Sequence, residues 1–353
     1  MQIALIGWQS GGKSTLFKAL TGLDSPFGEE AHPGIARVPD SVLDQLHELH
    51  PTSKKVNARV DYLDVAGLAA SEKRSGFKRS LINHLQGANV LATVIGTYQH
   101  GAMPPQDLSE DVIQQVEDLE TEMLLSDLQV MENRLEKIEA SKHRGQKADP
   151  IDIQAVEKAN AALNEEKALR TVDFSDEESK ALRPYGLLTM KPLMILVNHG
   201  DDQDGEEIAK AIAEPLSGTA RTIGVLNAQI EAEIASLEEE DRGPFLEELG
   251  LESPASDRVI NASFSLLGLI RFFTVGDDEC RAWPIPVGID AQHAAGEIHS
   301  DLERGFIRAE VVPSAELLRL KTLAACRDNG LLRLEGKQYV VKDGDVMHIR
   351  FAV

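Results

Sequence analysis

Short β-rich runs punctuate the first hundred residues and predict β-strands at Gln2–Ile6, 56–64 and 89–96; two more of the same buried-strand character, Leu193–Asn198 and Arg221–Leu226, follow after a long interruption. Strands apolar on both faces, with helical patterns between them, are what a parallel sheet covered by crossover helices requires. The chain is therefore read as α/β with a doubly wound sheet. The interruption has a different period. Val112, Val116, Leu119 and Met123, then Leu124, Leu128, Met131, Leu135 and Ile138, recur at three-and-four spacing, shifted by one residue near 123. A polar break at His143-Arg144-Gly145-Gln146 precedes a second helical pattern over 151–169 with Val156 and Leu163 facing inward. An antiparallel helical hairpin inserted into the sheet is expected, either as an architectural arm or as a grip on a partner.

Beyond the acidic stretch 238–242 and an amphipathic segment at 266–273, the composition changes near Gly276. Strands are predicted at 281–284, 307–312, 332–335, 338–341 and 346–351, and helices at 291–304 and 314–328, with Gly336-Lys337 and Lys342-Asp343-Gly344-Asp345 supplying turns. The expected organisation is a nucleotide-type domain over 1–110, a helical insertion over 111–184, the rest of that domain over 185–275, and a small C-terminal domain over 276–353.

The candidate chemistry begins right after the first strand. Gly7-Trp8-Gln9-Ser10-Gly11-Gly12-Lys13-Ser14 fits G-x-x-x-x-G-K-[ST] between a strand and a helix. Glycines let successive amides turn toward phosphate oxygens, and Gln9, Ser10, Gly11 and Thr15 are expected to add main-chain N–H groups at a positive helix end. Lys13 is expected to bridge the β- and γ-phosphates as a catalytic cation, and the Ser14 hydroxyl to ligate Mg²⁺. Asp64-Val65-Ala66-Gly67 follows a strand as a D-x-x-G loop should, so Asp64 is a candidate Mg²⁺ partner and the Gly67 N–H a candidate contact to the γ-phosphate. Leu68 stands where many GTPases place a water-orienting glutamine. Hydrolysis must then use another group, and His100 is the nearest candidate in sequence. Asn198-His199-Gly200-Asp201 has the outline N-x-x-D, in which a carboxylate can accept from N1–H and the amine of guanine. Asn227, Ala228 and Gln229 stand where a second base-contacting loop is expected.

Composition narrows the partners. At 353 residues with 42% apolar content the chain can build two or three cores. No apolar run approaches a membrane span, and the first residues read as a strand rather than a secretory signal, so a cytoplasmic, membrane-free protein is expected. The two cysteines, Cys280 and Cys326, have no metal spacing and are read as buried thiols. A net charge of −22 disfavours DNA binding and restricts any RNA contact to local basic clusters, of which Lys73, Arg74, Lys78 and Arg79 form one.

Several segments together resemble the Obg-like YchF family of P-loop NTPases: Glu120 to Leu128, Asn133 to Lys137, Lys191-Pro192, Ala228 to Glu233, and most strongly 294–311 and 334–351, which look like that family's TGS domain. The resemblance spans nearly the whole chain. It implies a P-loop NTPase sheet interrupted by a helical coiled-coil arm, a C-terminal ubiquitin-like (β-grasp) TGS domain, and ribosome or rRNA as partner. It also implies Mg²⁺ with GTP or ATP, and a hydrophobic residue where Leu68 stands. Departures exist. Ser10-Gly11 replace the family's Asn-Val, residues 25–34 lack a threonine, 69–76 replace a Gly-rich stretch, the loop around His100 is shortened, and Asp201 replaces a glutamate, which favours guanine. Two readings stand: a slow or partner-dependent NTPase, and a nucleotide-binding adaptor on the ribosome that does not hydrolyse. A P-loop kinase is disfavoured, and a monomer is expected.

Overall fold

The structure, a computed structural model, describes residues 1–25, 31–51, 54–68, 77–98, 105–144, 149–216 and 221–352. It divides into two compact units, Met1–Ile35 with Asp61–Val259, and Ala36–Val60 with Ile260–Val353. Residues 36–60 thus pack with the C-terminal part, which begins at Ile260, ahead of the composition change near 276.

Along the chain come β1 (Gln2–Ile6), α1 (Lys13–Thr21), β2 (His32–Arg37), then α2 (Ser41–Glu48) and β3 (Lys54–Val56) of the second unit. β4 (Arg59–Asp64), α3 (Arg79–Gly87), β5 (Val90–Gly96), α4 (Pro105–His143), α5 (Pro150–Asn164), α6 (Asp176–Leu182) and β6 (Leu193–Asn198) follow. α7 (Gly205–Ala213), β7 (Arg221–Leu226), α8 (Ala228–Ser236), α9 (Glu239–Glu248) and α10 (Ala255–Leu266) complete this part. The sheet order is β2-β4-β1-β5-β6-β7. β1 pairs in parallel with β4 and β5, β5 with β6, and β6 with β7. Every residue of β6 is buried, which explains its unbroken apolar run. The registers Leu5↔Asp64, Ile6↔Thr93, Gly96↔Asn198 and Asn198↔Leu226 bring the carboxyl ends of five strands to one edge. In open α/β sheets that edge is where ligands bind. This is the P-loop GTPase fold.

The shifted seam at 123 has a structural cause. Leu108, Val112, Val116, Leu119 and Met123 of α4 bury into the core of the parallel sheet, whereas Met131 and Ile138 join a separate core with Ala155, Val156, Ala159 and Leu163 of α5. One continuous helix serves two hydrophobic surfaces, and the register of its apolar stripe changes where it passes between them. Asp127 lies at that passage. Its carboxylate is buried and accepts from Leu188 N–H (2.8 Å), Thr189 N–H (2.7 Å) and the Thr189 hydroxyl (2.7 Å). Burial pushes the Asp127 carboxyl above its ordinary range, against the lowering effect of those bonds. Arg170 ties the same region to α4 through Glu120 at 2.8 Å.

The second unit contains β8 (Leu269–Val275), β9 (Glu279–Pro286), α11 (Ala291–Ile298), α12 (Ser300–Arg304), β10 (Phe306–Pro313), α13 (Ser314–Leu320), α14 (Leu323–Asp328), β11 (Arg333–Glu335) and β12 (Asp345–Phe351). Its sheet runs β11-β10-β12-β8-β9-β3. An antiparallel β8–β9 hairpin is followed by α11, and the last strand lies parallel to β8, the β-grasp arrangement. Ala291, Ala294 and Ala295 bury one face of α11 against Phe272, Ile285 and Val311. Cys280 and Cys326 are both buried, as read.

The predicted strand over 338–341 is not formed; a single bridge joins Val340 to Asp290. Its backbone is spent on the entry to α11, with Ala291 N–H donating to Tyr339 O (2.8 Å) and Val341 N–H to Ile289 O (3.1 Å). The predicted helices 291–304 and 314–328 each break in two, at His299 (φ −165°, ψ 141°) and at Lys321 (φ 67°). The expected strand 56–64 splits at Asn57, whose amide donates to Val38 O at 2.9 Å, so β3 pairs with β9 while β4 pairs with β1.

Asp127→Ala leaves three buried donors without an acceptor and is expected to destabilise the first unit by about 3 kcal/mol. Asp127→Asn, which keeps one acceptor oxygen, should lose less. Urea unfolding followed by circular dichroism measures both; equal midpoints for wild type and Asp127→Ala would contradict the assignment.

Candidate nucleotide site

Between β1 and α1 the backbone makes a turn that only glycine permits at two points. Gly7 has φ +151° and a Cβ there would lie 2.3 Å from Val94 O; Gly12 has φ +87° and its Cβ would lie 2.0 Å from Asn198 Nδ2. Ser10 also adopts positive φ, 61°. The loop is stitched to its surroundings by Leu68 N–H to Gly7 O (2.9 Å), Gln9 N–H to Leu68 O (2.8 Å) and Gly11 N–H to Trp8 O (3.2 Å). The Tyr98 hydroxyl donates to Ser10 O. Helix α1 then starts at Lys13 with no side-chain cap and no acidic residue in its first turn. Its leading N–H groups are therefore not satisfied by a side chain. A cavity of about 560 Å³ lies there, lined by residues 8–15, Ser25, His32, Asp64 to Gly67 and Tyr98.

Three side chains meet in it. The Lys13 ammonium pairs with Asp64 Oδ1, and the Ser14 hydroxyl donates to Asp64 Oδ2 at 2.9 Å. Lys13 and Asp64 are both buried, so each needs the other's charge. Adjacent hydroxyl and carboxylate oxygens are hard donors of the kind Mg²⁺ takes alongside phosphates and waters. Among the described residues no three His, Cys, Asp or Glu side chains cluster as a metal cage. That fits an ion held chiefly by its substrate's phosphates. Gly67 packs directly on the loop, its Cβ position 3.2 Å from Gln9 Cα. Leu68 buries its side chain in the sheet core and cannot orient water.

A second cavity of about 520 Å³ shares Gly12, Thr15 and Tyr98 with the first and is lined further by residues 198–202, Asn227, Ala228 and Gln229. Asn198 fastens the two together: its Nδ2 donates to Gly11 O (3.2 Å) and its Oδ1 accepts from Ala228 N–H (2.8 Å). Asn227 is equally committed. Its Oδ1 caps α8 at Gln229 N–H (3.1 Å) and Ile230 N–H (3.2 Å), and its Nδ2 donates to Asp201 Oδ1 (2.7 Å). The two asparagines therefore spend both ends of their amides on protein, and Thr15, His199, Asp201, Asp202, Gln229 and main chain remain to face a ligand. Gln203 braces the loop, taking Gly200 N–H (3.0 Å) and the Thr97 hydroxyl (2.8 Å) and donating to Thr97 O (2.9 Å).

Two lining residues escaped the sequence reading. Tyr98, two residues before His100, and His32 belong to no motif of the sequence. His32 opens β2 and lines the phosphate-sized cavity with its Nε2 shielded from solvent and without a hydrogen bond to any described residue. His100, Lys73 and Arg74 lie outside the described residues. Lys78 and Arg79 are exposed at the start of α3.

Comparison with known proteins agrees with this geometry. A family model described as a 50S ribosome-binding GTPase matches residues 2–133, and a model for the C-terminal region of YchF GTPases, described as a protein of unknown function, matches residues 269–352. The Ribosome-binding ATPase YchF of Bacillus subtilis is 36% identical over 99% of this chain and 98% of its own length. Its counterpart in Escherichia coli O157:H7 is 33% identical over 99% and 98%. The chain belongs to the YchF family. The solved YchF GTPase of Schizosaccharomyces pombe superposes with a TM-score of 0.83 at 25% identity, covering 99% of this chain and 97% of that one. The nucleotide fold, the long α4 and the C-terminal sheet are thus features of a YchF protein throughout.

Gly12→Ala is expected to drive Asn198 off Gly11 and to weaken binding of a fluorescent GDP analogue at least ten-fold, roughly 1.4 kcal/mol. Fluorescence titration checks it, and an unchanged Kd would contradict the packing described.

Proposed function

We propose that this YchF protein is a cytoplasmic, ribosome-associated NTPase that binds GTP with Mg²⁺, accepts ATP as well, and hydrolyses the nucleotide slowly. The observation that carries the reading is the uncapped start of α1, with Lys13, Ser14 and Asp64 converging on one cavity. In this reading Gly7, Gln9, Ser10, Gly11, Gly12 and Thr15 wrap the phosphates, and Lys13 turns from Asp64 to the β- and γ-phosphates. Ser14 and Asp64 hold Mg²⁺, which neutralises phosphate charge when bound. The Gly67 N–H faces the γ-phosphate. The base lies in the second cavity, where Asp201 Oδ2 and the free lone pair of Oδ1 accept from guanine, while Asn198 and Asn227 set the pocket's shape. The relatives' shared name, Ribosome-binding ATPase YchF, supports ribosome association, and ribosome association supports a cytoplasmic site.

Slow turnover follows from Leu68. With that side chain in the core, water must be oriented by another group, and His32 is the described residue on the cavity wall with an uncommitted ring nitrogen. We assign His32 that role, with His100 as the second reading. An adaptor that holds nucleotide without turning it over is the alternative at the level of function.

Single-turnover GTP hydrolysis with and without ribosomes separates these. His32→Ala should slow the step by about 10²-fold with Kd for GDP unchanged, whereas His100→Ala should leave the rate alone. The reverse result would move the role to His100, and no hydrolysis by wild type under any condition would leave the adaptor. Asp201→Asn keeps an acceptor for Asn227, so the loop should stay folded while preference moves at least ten-fold from GTP toward XTP. A titration showing no shift would mean that Asp201 does not read the base.

A further inference from the structure

A second concave site lies wholly within the other unit and is built from cations. Arg37 at the end of β2, Lys54 and Lys55 on β3, Arg59 on β4 and Arg281 on β9 line a cavity of about 290 Å³ with Val56 and Asn57 and no acidic side chain. Five cations in one cavity stand out on a chain of net charge −22. Like charges brought together repel unless a counter-charge is supplied. Only part of it comes from the protein. Lys55 pairs with Asp44 at 2.8 Å and Arg281 with Glu279 at 3.4 Å. Arg37, Lys54 and Arg59 are exposed and make no ion pair with any described residue.

The lining also shows what it cannot read. Among the described residues that line the cavity none is aromatic, and the ring face of Trp283 next to Arg281 is occupied by its guanidinium at 4.6 Å. The one amide, Asn57, already donates to Val38 O. What remains is charge recognition without sequence readout, the chemistry of phosphodiester contacts. We propose that Arg37, Lys54 and Arg59, braced by Lys55 and Arg281, bind backbone phosphates of RNA, so that this pocket is the point at which the acidic protein touches ribosomal RNA. The partner class rests on the ribosome-associated reading above; the pocket itself rests on geometry.

The test uses the full chain, with Arg37→Ala/Lys54→Ala/Arg59→Ala beside Arg37→Lys/Arg59→Lys. Probes are intact ribosomes in co-sedimentation and deproteinised ribosomal RNA in filter binding over a KCl series. The triple variant should lose at least ten-fold in RNA affinity and about 2 in the slope of log K against log salt, as three released counterions predict for single strands. The lysine variant should bind as wild type does, GDP affinity should be equal in all, and inorganic pyrophosphate should not compete. Wild-type binding to ribosomes with no change in the triple variant would overturn the inference and leave the proposed function standing. Binding to ribosomes but not to naked RNA would assign the contact to a ribosomal protein, and competition by pyrophosphate would assign the pocket to a free phosphate ligand; either overturns it. A wild type that binds ribosomes in no nucleotide state would remove the reading on which both stand.

Discussion

A loop can present its amides to a polyphosphate only when its carbonyls are turned away and bonded elsewhere, and here Asn198 does much of that work. Its amide nitrogen takes Gly11 O and its amide oxygen takes Ala228 N–H, so one side chain from the end of β6 holds the phosphate loop and the base loop at fixed separation. The absence of a Cβ at Gly12 is the other half of this contact, because the Asn198 amide occupies the space a side chain would need. Leu68 closes the third side with two main-chain bonds to Gly7 and Gln9. The cavity therefore exists through contacts between segments at the carboxyl ends of β4, β1 and β6, and the parallel register of the sheet sets its dimensions.

The parts legible in the sequence were those with a short-range cause. Apolar runs marked β1, β5 and β6 because a strand buried on both faces needs nearly every position apolar, while the partly buried edge strand β7 was marked by its Ile223-Gly224-Val225-Leu226 segment. The P-loop was legible because only glycine tolerates its backbone, and α4 and α5 because of their period. What escaped depended on long-range partners. β2 alternates buried and exposed residues at a sheet edge and carries Pro33 and Gly34, so local pattern argues against it. The break at 57 in the expected 56–64 strand exists because β3 finds β9 more than two hundred residues away. The segment at 338–341 has strand composition, yet its main chain is claimed by the entry to α11.

The candidate site shows the same division. Motif spacing groups Lys13, Ser14, Asp64 and Gly67, and all four line one cavity. Spacing alone could not say that Asn198 and Asn227 are consumed by internal bonds, since an N-x-x-D outline does not reveal what the asparagine touches. Nor could it find His32 or Tyr98, which reach the cavity from β2 and from the end of β5 without belonging to any motif. The signal that could have found Tyr98 was positional: it stands two residues after β5, whose carboxyl end borders the phosphate loop.

α4 gives the nucleotide unit its mechanical character. One helix buries its first turns in the sheet and its later turns against α5, so α4 belongs to both cores. Asp127, bonded to Leu188 and Thr189 just ahead of β6, and Arg170, bonded to Glu120 and to Lys191 O at 2.8 Å, fix the helix to the strand that carries Asn198. A displacement at the carboxyl end of β6 would have to move the hairpin as a body or break buried hydrogen bonds that cost about 1–3 kcal/mol each to leave unmade. Packed helices of this kind transmit a shift rather than absorb it. Residues 198–202 and the α4–α5 pair are therefore joined through β6, Thr189 and Asp127, with the loop after β1 attached to the same strand by Asn198.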